Sequence, residues 1–210
     1  MPVFYSLLFL CSSAWGNMEM SWPYPFQSRL NAANGKSQVD FSTQAPLKHD
    51  GSDFPCKHYH QAQPLTPSAT YAAGSTYNIT LVGNDPLGGG SCQIALSNDN
   101  GATFRVIKSI IGGCPLDRSY KFTVPSYTPA GDMLLAWTWQ NLRGEQDFYM
   151  NCAPVRITTE RSSPKQRRTA SSQFNNLPYI WKANIQGHNQ CKTKAGVEVV
   201  YPHPGPDVEY

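Results

Sequence analysis

The sequence predicts an all-β protein: an immunoglobulin- or fibronectin-III-like antiparallel β-sandwich with long loops. Three observations predict it. Apolar residues recur with period two in six or more short runs between residues 75 and 159. Turn signals such as Asn98-Asp99-Asn100-Gly101 and Pro129-Ala130-Gly131 separate those runs, and no stretch keeps a helical period. Composition agrees, because Gly 16, Pro 17 and 12% aromatic residues in 210 suit strands and turns better than long helices. Charged residues are 15%, against about 25% in an ordinary soluble domain. The net charge of +3 is too small to mark a polyanion-binding surface, which argues against a nucleic-acid partner.

The segments follow in order. Val3 to Leu10 is a short apolar run, and the small residues after it end in Ala14-Trp15-Gly16, a usable cleavage pattern. Residues 1–16 are therefore expected to be a signal peptide, too short to span a bilayer, and the mature chain to begin at Asn17 and be secreted. No later segment looks transmembrane. Residues 17 to about 74 read as loop, with Trp22-Pro23-Tyr24-Pro25-Phe26 as a marked aromatic cluster. The strand runs follow: Tyr77, Ile79 and Leu81; Cys92, Ile94 and Leu96; Phe104, Val106 and Ile107; Tyr120, Phe122 and Val124; Met133 to Trp139; Phe148 to Ile157. The β-sandwich domain is thus expected over 17–159. Residues 160–178 are basic and Ser-rich and read as an exposed linker, in which Arg167-Arg168 has the form of a dibasic processing site but is read as uncut. Residues 179–210 carry enough apolar side chains, Ile180, Trp181 and Val197 to Tyr201 among them, to pack as an extended segment on or beside the domain.

Cysteine usage fits export. Cys11 lies in the leader, so five of the six cysteines remain, with no CxxC pair and no zinc-finger spacing. The expected bridges are Cys92–Cys114, closing a two-strand unit, and Cys56–Cys152, tying the N-terminal loop to the last strand. Cys191 is then free, or paired by a different connectivity. Asn78-Ile79-Thr80 is a glycosylation sequon.

Several strings are specific when taken together. They are Met18-Glu19-Met20-Ser21-Trp22-Pro23, Gly51-Ser52-Asp53-Phe54-Pro55-Cys56-Lys57, Gly88-Gly89-Gly90-Ser91-Cys92-Gln93, Ile110 to Pro115, Leu135-Ala136-Trp137-Thr138-Trp139, Tyr149-Met150-Asn151-Cys152-Ala153-Pro154 and Lys194-Ala195-Gly196-Val197-Glu198. In order and over nearly the whole mature chain, the sequence resembles the fungal lytic polysaccharide monooxygenases of auxiliary activity family eleven, the chitin-active group. The resemblance implies a β-sandwich with one copper ion at a flat exposed face. It implies that the ion is held by the amine and side chain of a first-residue His and by a second His, with a Tyr on the axial side. Such a copper, with a reductant and a peroxide or dioxygen co-substrate, oxidises a C–H bond of crystalline chitin. Imidazole suits copper, and two imidazoles with an amine leave positions open for the oxygen species.

Two departures decide what the resemblance implies here. The first-residue His is replaced by Asn17, and the second His, four residues before Ser91, by Leu87. The axial position is kept at Tyr149, and Asp147 stands where the family usually has a second-sphere Glu. No catalytic residue and no cofactor is therefore expected at Asn17, Leu87, Tyr149 and Asp147. Copper enters only in an alternative reading, an oxidative enzyme using the Asn17 amine, Tyr149 and His58 or His60. The latter two are spaced i, i+2 and would share a face on an extended strand. His49, His188 and His203 read as solvated loop residues, and Trp137 and Trp139 as core. Trp22 and Tyr24, placed near the former copper face, are the candidates for stacking on sugar rings. The expected function is binding of chitin or another cell-wall polysaccharide by a monomer, with no nucleic-acid or membrane partner. A non-enzymatic interaction protein on the same scaffold is the third reading. Hydrolase readings find no Gly-x-Ser-x-Gly elbow and no evident carboxylate pair.

Overall fold

The computed structural model describes residues 17–62, 64–159 and 164–210; the expected signal peptide lies outside them. Among the described residues nine strands form two sheets. A three-stranded sheet is ordered β1 (Asn17–Trp22), β3 (Thr76–Asp85), β6 (Ser119–Thr123). A six-stranded sheet is ordered β2 (Ala69–Ala72), β8 (Phe148–Thr158), β7 (Gly131–Asn141), β4 (Gly90–Ser97), β5 (Arg105–Ile110), β9 (Val208–Glu209). The architecture is the predicted immunoglobulin-like sandwich. It departs from a purely antiparallel one at its edges, where β2 joins β8 and β9 joins β5 in parallel.

Period two in the large sheet divides its side chains between two cores. Cys92, Ile94, Leu96, Leu135, Trp137, Trp139, Tyr149, Ala153 and Val155 face the small sheet, where they meet Met18, Met20, Ile79, Leu81, Tyr120 and Phe122. Their immediate neighbours Ala95, Leu134, Ala136, Phe148, Met150 and Cys152 point the other way and meet Phe26, Leu47, Phe104, Ile180 and Ile185. The loops and the C-terminal segment therefore cover the outer face of the large sheet. That is why β4 and most of β7 are buried at every residue rather than at alternate ones. β6 instead shows exposed and buried residues in strict alternation, with one solvated face. Asn78 lies on the small sheet with an exposed side chain.

Disulfides, a buried carboxylate and backbone bonds fasten the loops to the sheets. Cys56–Cys152 and Cys92–Cys114 are both bridged, as the sequence led us to expect, and Cys191 is free and exposed. Glu19 on β1 is fully buried, receives Arg29 at 2.7 Å and Gln44 at 3.0 Å, and accepts from Thr43, so β1 pins the loop that follows it. The C-terminal segment bonds to β5 through Val106 N to Pro178 O at 2.8 Å and Ser109 N to Asp207 O at 2.9 Å.

Two segments depart from the sequence reading. β1 is a regular strand where loop was expected, because Met18 and Met20 alternate around Glu19 and are buried against β3. Within the segment read as a linker, Pro164–Asn175 forms helix α2; a four-residue helix, α1 (Tyr59–Ala62), precedes it in the chain. α2 opens on Pro, which suits a first helical position, and its C-terminal end drives Phe174 fully into the inter-sheet core beside Leu177. Phe174→Ala should therefore cost about 3–5 kcal/mol of unfolding free energy in urea titration. A loss below about 1 kcal/mol would mean that α2 is not docked.

Candidate functional site

Strand pairing gathers the four family-equivalent positions at one end of the sandwich. Asn17 begins β1 and stands opposite Asp85, the last residue of β3. Leu87 follows two residues later, its amide donating to the Asp85 carboxylate at 2.9 Å. Tyr149 near the start of β8 pairs with Trp139 on β7, the ring centroids lying 4.4 Å apart. The Trp139 indole donates to the Gly89 carbonyl at 3.2 Å, and Leu87 O accepts from Arg143 N at 3.1 Å. One bonded frame thus links the Gly-rich loop to the β7–β8 end. Gly90 is required in that frame, because a Cβ there would lie 2.1 Å from Gln140 O.

Leu87 has φ +47, a left-handed conformation in which His is several-fold enriched and a bulky aliphatic residue is rare. Its side chain is 6% exposed and packs in the inter-sheet core with Tyr149 and Cys92. The loop thus keeps a backbone suited to His while presenting an apolar side chain with no donor atom. Asp147 is buried and interacts with the Tyr149 side chain. Burial pushes its carboxyl up, and hydrogen bonds from His49 and Tyr149 act in the opposite direction. His49 Nε2 lies 2.6 Å from Asp147 Oδ1, so His49 is no free loop residue although its side chain is 48% exposed. The 98 residues between the two hid this pair from sequence reasoning, since no local spacing connects them.

The remaining candidates are separated from this end. His58 and His60 do not share a strand face. They sit in consecutive short helices, Cys56–His58 and α1, with ring centroids 6.4 Å apart. His60 is buried against Gly101, and His58 Nε2 bonds to the Ser52 carbonyl at 2.9 Å. Among the described residues no group of three or more His, Cys, Asp or Glu side chains is placed to hold a metal ion. His188 packs against Phe54, ring centroids 4.4 Å apart and tilted at 54°, so it is not simply a solvated loop residue. Trp137 and Trp139 are core, as expected. Trp22 lies at the far end of β1 from Asn17, roughly 16 Å away at a strand's rise. The expectation that it sits near the former copper face is therefore corrected. Trp22 and Tyr24 meet edge to face, 5.2 Å apart at 85°, so the two rings cannot lie flat on one sugar surface together.

Relatives give the family. The chain is 44% identical over 194 residues to AA11 family lytic polysaccharide monooxygenase A of Aspergillus fumigatus, covering 92% of this chain and 85% of that one. An AA11 family lytic polysaccharide monooxygenase of Aspergillus oryzae is 35% identical over 93% of this chain, and AA11 family lytic polysaccharide monooxygenase B of Aspergillus fumigatus is 34% identical over 95%. The chain spans about half the length of those two, at 48% and 50%. The chain belongs to the AA11 family of lytic polysaccharide monooxygenases. No family model matches it. Among solved structures, HiLPMO9B is 21% identical with TM-score 0.42, over 58% of this chain and 66% of that one. The chitin-active BlLPMO10A is 12% identical with TM-score 0.39, over 67% and 84%.

The buried histidine gives a pH prediction. Burial, with repulsion from His58, holds the His60 imidazole below its ordinary value. The folded protein keeps His60 neutral where the unfolded chain takes up a proton, below about pH 6.5. Stability is therefore lost as pH falls from there through the lowered folded-state value. His60→Gln should flatten the melting-temperature profile between about pH 5 and 7 relative to the parent protein. An unchanged slope would assign that titration to another group.

Proposed function

We propose that this chain is a secreted lytic polysaccharide monooxygenase-like protein that binds chitin or a related cell-wall polysaccharide and no longer performs copper-dependent oxidation. Leu87 is the observation that carries this reading. Copper of this family's kind needs nitrogen donors, and a hydrocarbon side chain packed among Tyr149 and Cys92 supplies none. Asn17, once at the N-terminus, would offer an amine and a poorly ligating amide. The residues present do not fit the two-imidazole brace, and no oxidative step is derived through it. The exposed Trp22 supports retention of sugar binding, since one indole face suffices for stacking on a pyranose ring.

The retained contact between Tyr149 and Asp147 favours the alternative, an oxidative enzyme with a non-standard site. Copper titration by calorimetry separates the two, on secreted protein whose N-terminus is verified as Asn17 by mass spectrometry. The expected result is no site tighter than about 1 µM. The double variant Asn17→His, Leu87→His should acquire one tight copper site, since position 87 already holds a backbone that His tolerates. Chitin should retain the parent protein in the presence of a chelator. Release of oxidised oligosaccharides with reductant and peroxide, abolished by a chelator, would establish the alternative. Failure to enrich on any insoluble glycan would leave a scaffold that serves other interactions.

A further inference from the structure

A groove lies on the outer face of the large sheet, apart from the end of the sandwich described above. It lies between the loop that follows β1 and the segment before β2, with a volume of about 460 Å³, within the range of ordinary ligand sites. Its walls include Tyr24, Asn31, Asn34, Gln38 and Thr66, and its floor reaches Pro154 on β8. Pro154 is five residues along β8 from Tyr149, roughly 16 Å at a strand's rise, so the groove is separate from the end of the sandwich described above.

The polar groups are partly spent and partly available. Asn31 uses its Oδ1 to accept from Ala33 N at 3.0 Å, which leaves its Nδ2 as a donor. Asn34 uses its Nδ2 on Ser28 O at 2.8 Å, which leaves its Oδ1 as an acceptor. Gln38 accepts at Oε1 from Gly35 N at 3.4 Å and keeps its Nε2. The internal bond fixes each Asn amide and thereby orients its remaining atom. The walls are stiff for a second reason: Pro25, Pro64 and Pro67 line them, and the Ser68 hydroxyl joins Tyr24 O at 3.2 Å to Pro154 O at 3.1 Å. No charged side chain among the described residues lines the groove. A half-buried aromatic ring, fixed amides and an uncharged lining suit the apolar face and hydroxyl rim of a neutral pyranose. They do not suit a charged polymer, which would need compensating charge.

We infer that this groove binds a single chain of a neutral oligosaccharide, with Tyr24 against a ring face and the amides of Asn31, Asn34 and Gln38 on its hydroxyl or acetamido groups. The ligand class rests on the glycan-binding reading above; the location does not use the former copper end. It adds a site for a soluble chain to whatever surface meets an insoluble one.

Chitohexaose, cellohexaose and hexagalacturonate are titrated into the intact secreted protein by calorimetry, alongside pull-down on insoluble chitin. Chitohexaose or cellohexaose should bind and hexagalacturonate should not. Tyr24→Ala and, separately, Gln38→Ala should each weaken that binding, Tyr24→Ala by at least tenfold, with melting temperatures that verify folding. Gln38 is exposed, so its variant keeps the test valid if Tyr24→Ala does not fold. Soluble binding that both variants leave unchanged overturns the groove and leaves the glycan-binding reading standing. So does retention on insoluble chitin with no binding of either neutral hexamer. Equal binding of hexagalacturonate overturns the neutral-ligand assignment. Absence of both soluble and insoluble binding removes the groove and the broader reading together.

Discussion

The division of the large sheet into two buried faces is the constraint from which most of this structure follows. β7 and β8 cannot be half-solvated strands, because both faces of each carry apolar side chains. Trp137, Trp139 and Tyr149 require the small sheet over them, and Phe148, Met150 and Cys152 require a cover on the opposite side. The small sheet supplies the first cover. The second has no sheet available and is assembled from loops: the N-terminal loop with Phe26 and Leu47, and the C-terminal segment with Ile180 and Ile185. Loops used as a cover must satisfy their backbone groups, and they do so against the sheet itself, as in Phe26 N to Cys152 O at 2.9 Å and Leu47 N to Phe148 O at 2.9 Å. The disulfide from Cys56 to Cys152 belongs to the same solution: it closes a separation of 96 residues and ties the loop directly to β8.

The same packing explains how the end frame persists around changed side chains. The Gly-rich loop is held by backbone contacts, from Leu87 N to Asp85 and from the Trp139 indole to Gly89 O, and none of them depends on the side chain at position 87. Replacing an imidazole by an isobutyl group there removes a donor and adds apolar contact with the inter-sheet core. The left-handed backbone carries a cost for Leu of order 1–2 kcal/mol, which burial of a Leu side chain, about 1.5–3 kcal/mol, offsets. Tyr149 has a packing role of its own beside its contact with Asp147, since its ring lies against Trp139 within the core. Its presence therefore weighs less as a sign of copper chemistry than the identity of residue 87 does.

What the sequence made legible was the part governed by local periodicity. The alternation of Ile94 with Ala95 and of Tyr120 and Phe122 with polar neighbours marked strands and faces together. The two bridges were readable once the strands were placed. β1 was not, because its apolar residues alternate around a buried Glu19 whose partners, the Arg29 guanidinium and the Gln44 amide, come from the following loop. α2 was hidden by a polar composition in which Phe174 is the large apolar side chain that enters the core. His49 and Asp147, and the pairing of Tyr24 with Asn34 across one groove, depend on how loops return over a sheet. Spacing along the chain does not encode that.

The outer cover has a consequence for function. A loop layer that must close over Phe148, Met150 and Cys152 is fixed by prolines and by hydrogen bonds to β8, so any depression left in its surface is rigid before a ligand arrives. Rigid depressions lose little conformational entropy on binding, which favours recognition of a stiff, neutral polymer through modest contacts. The end of the sandwich obeys a different rule, since its Gly-rich loop is held by backbone contacts to β7 and β3 that do not depend on the side chain at position 87. Changes at Asn17 and Leu87 thus alter one end without touching the packing that shapes the other surface. In a scaffold of this kind the side chains at one end can vary while the loop layer remains under the independent demand of covering the core.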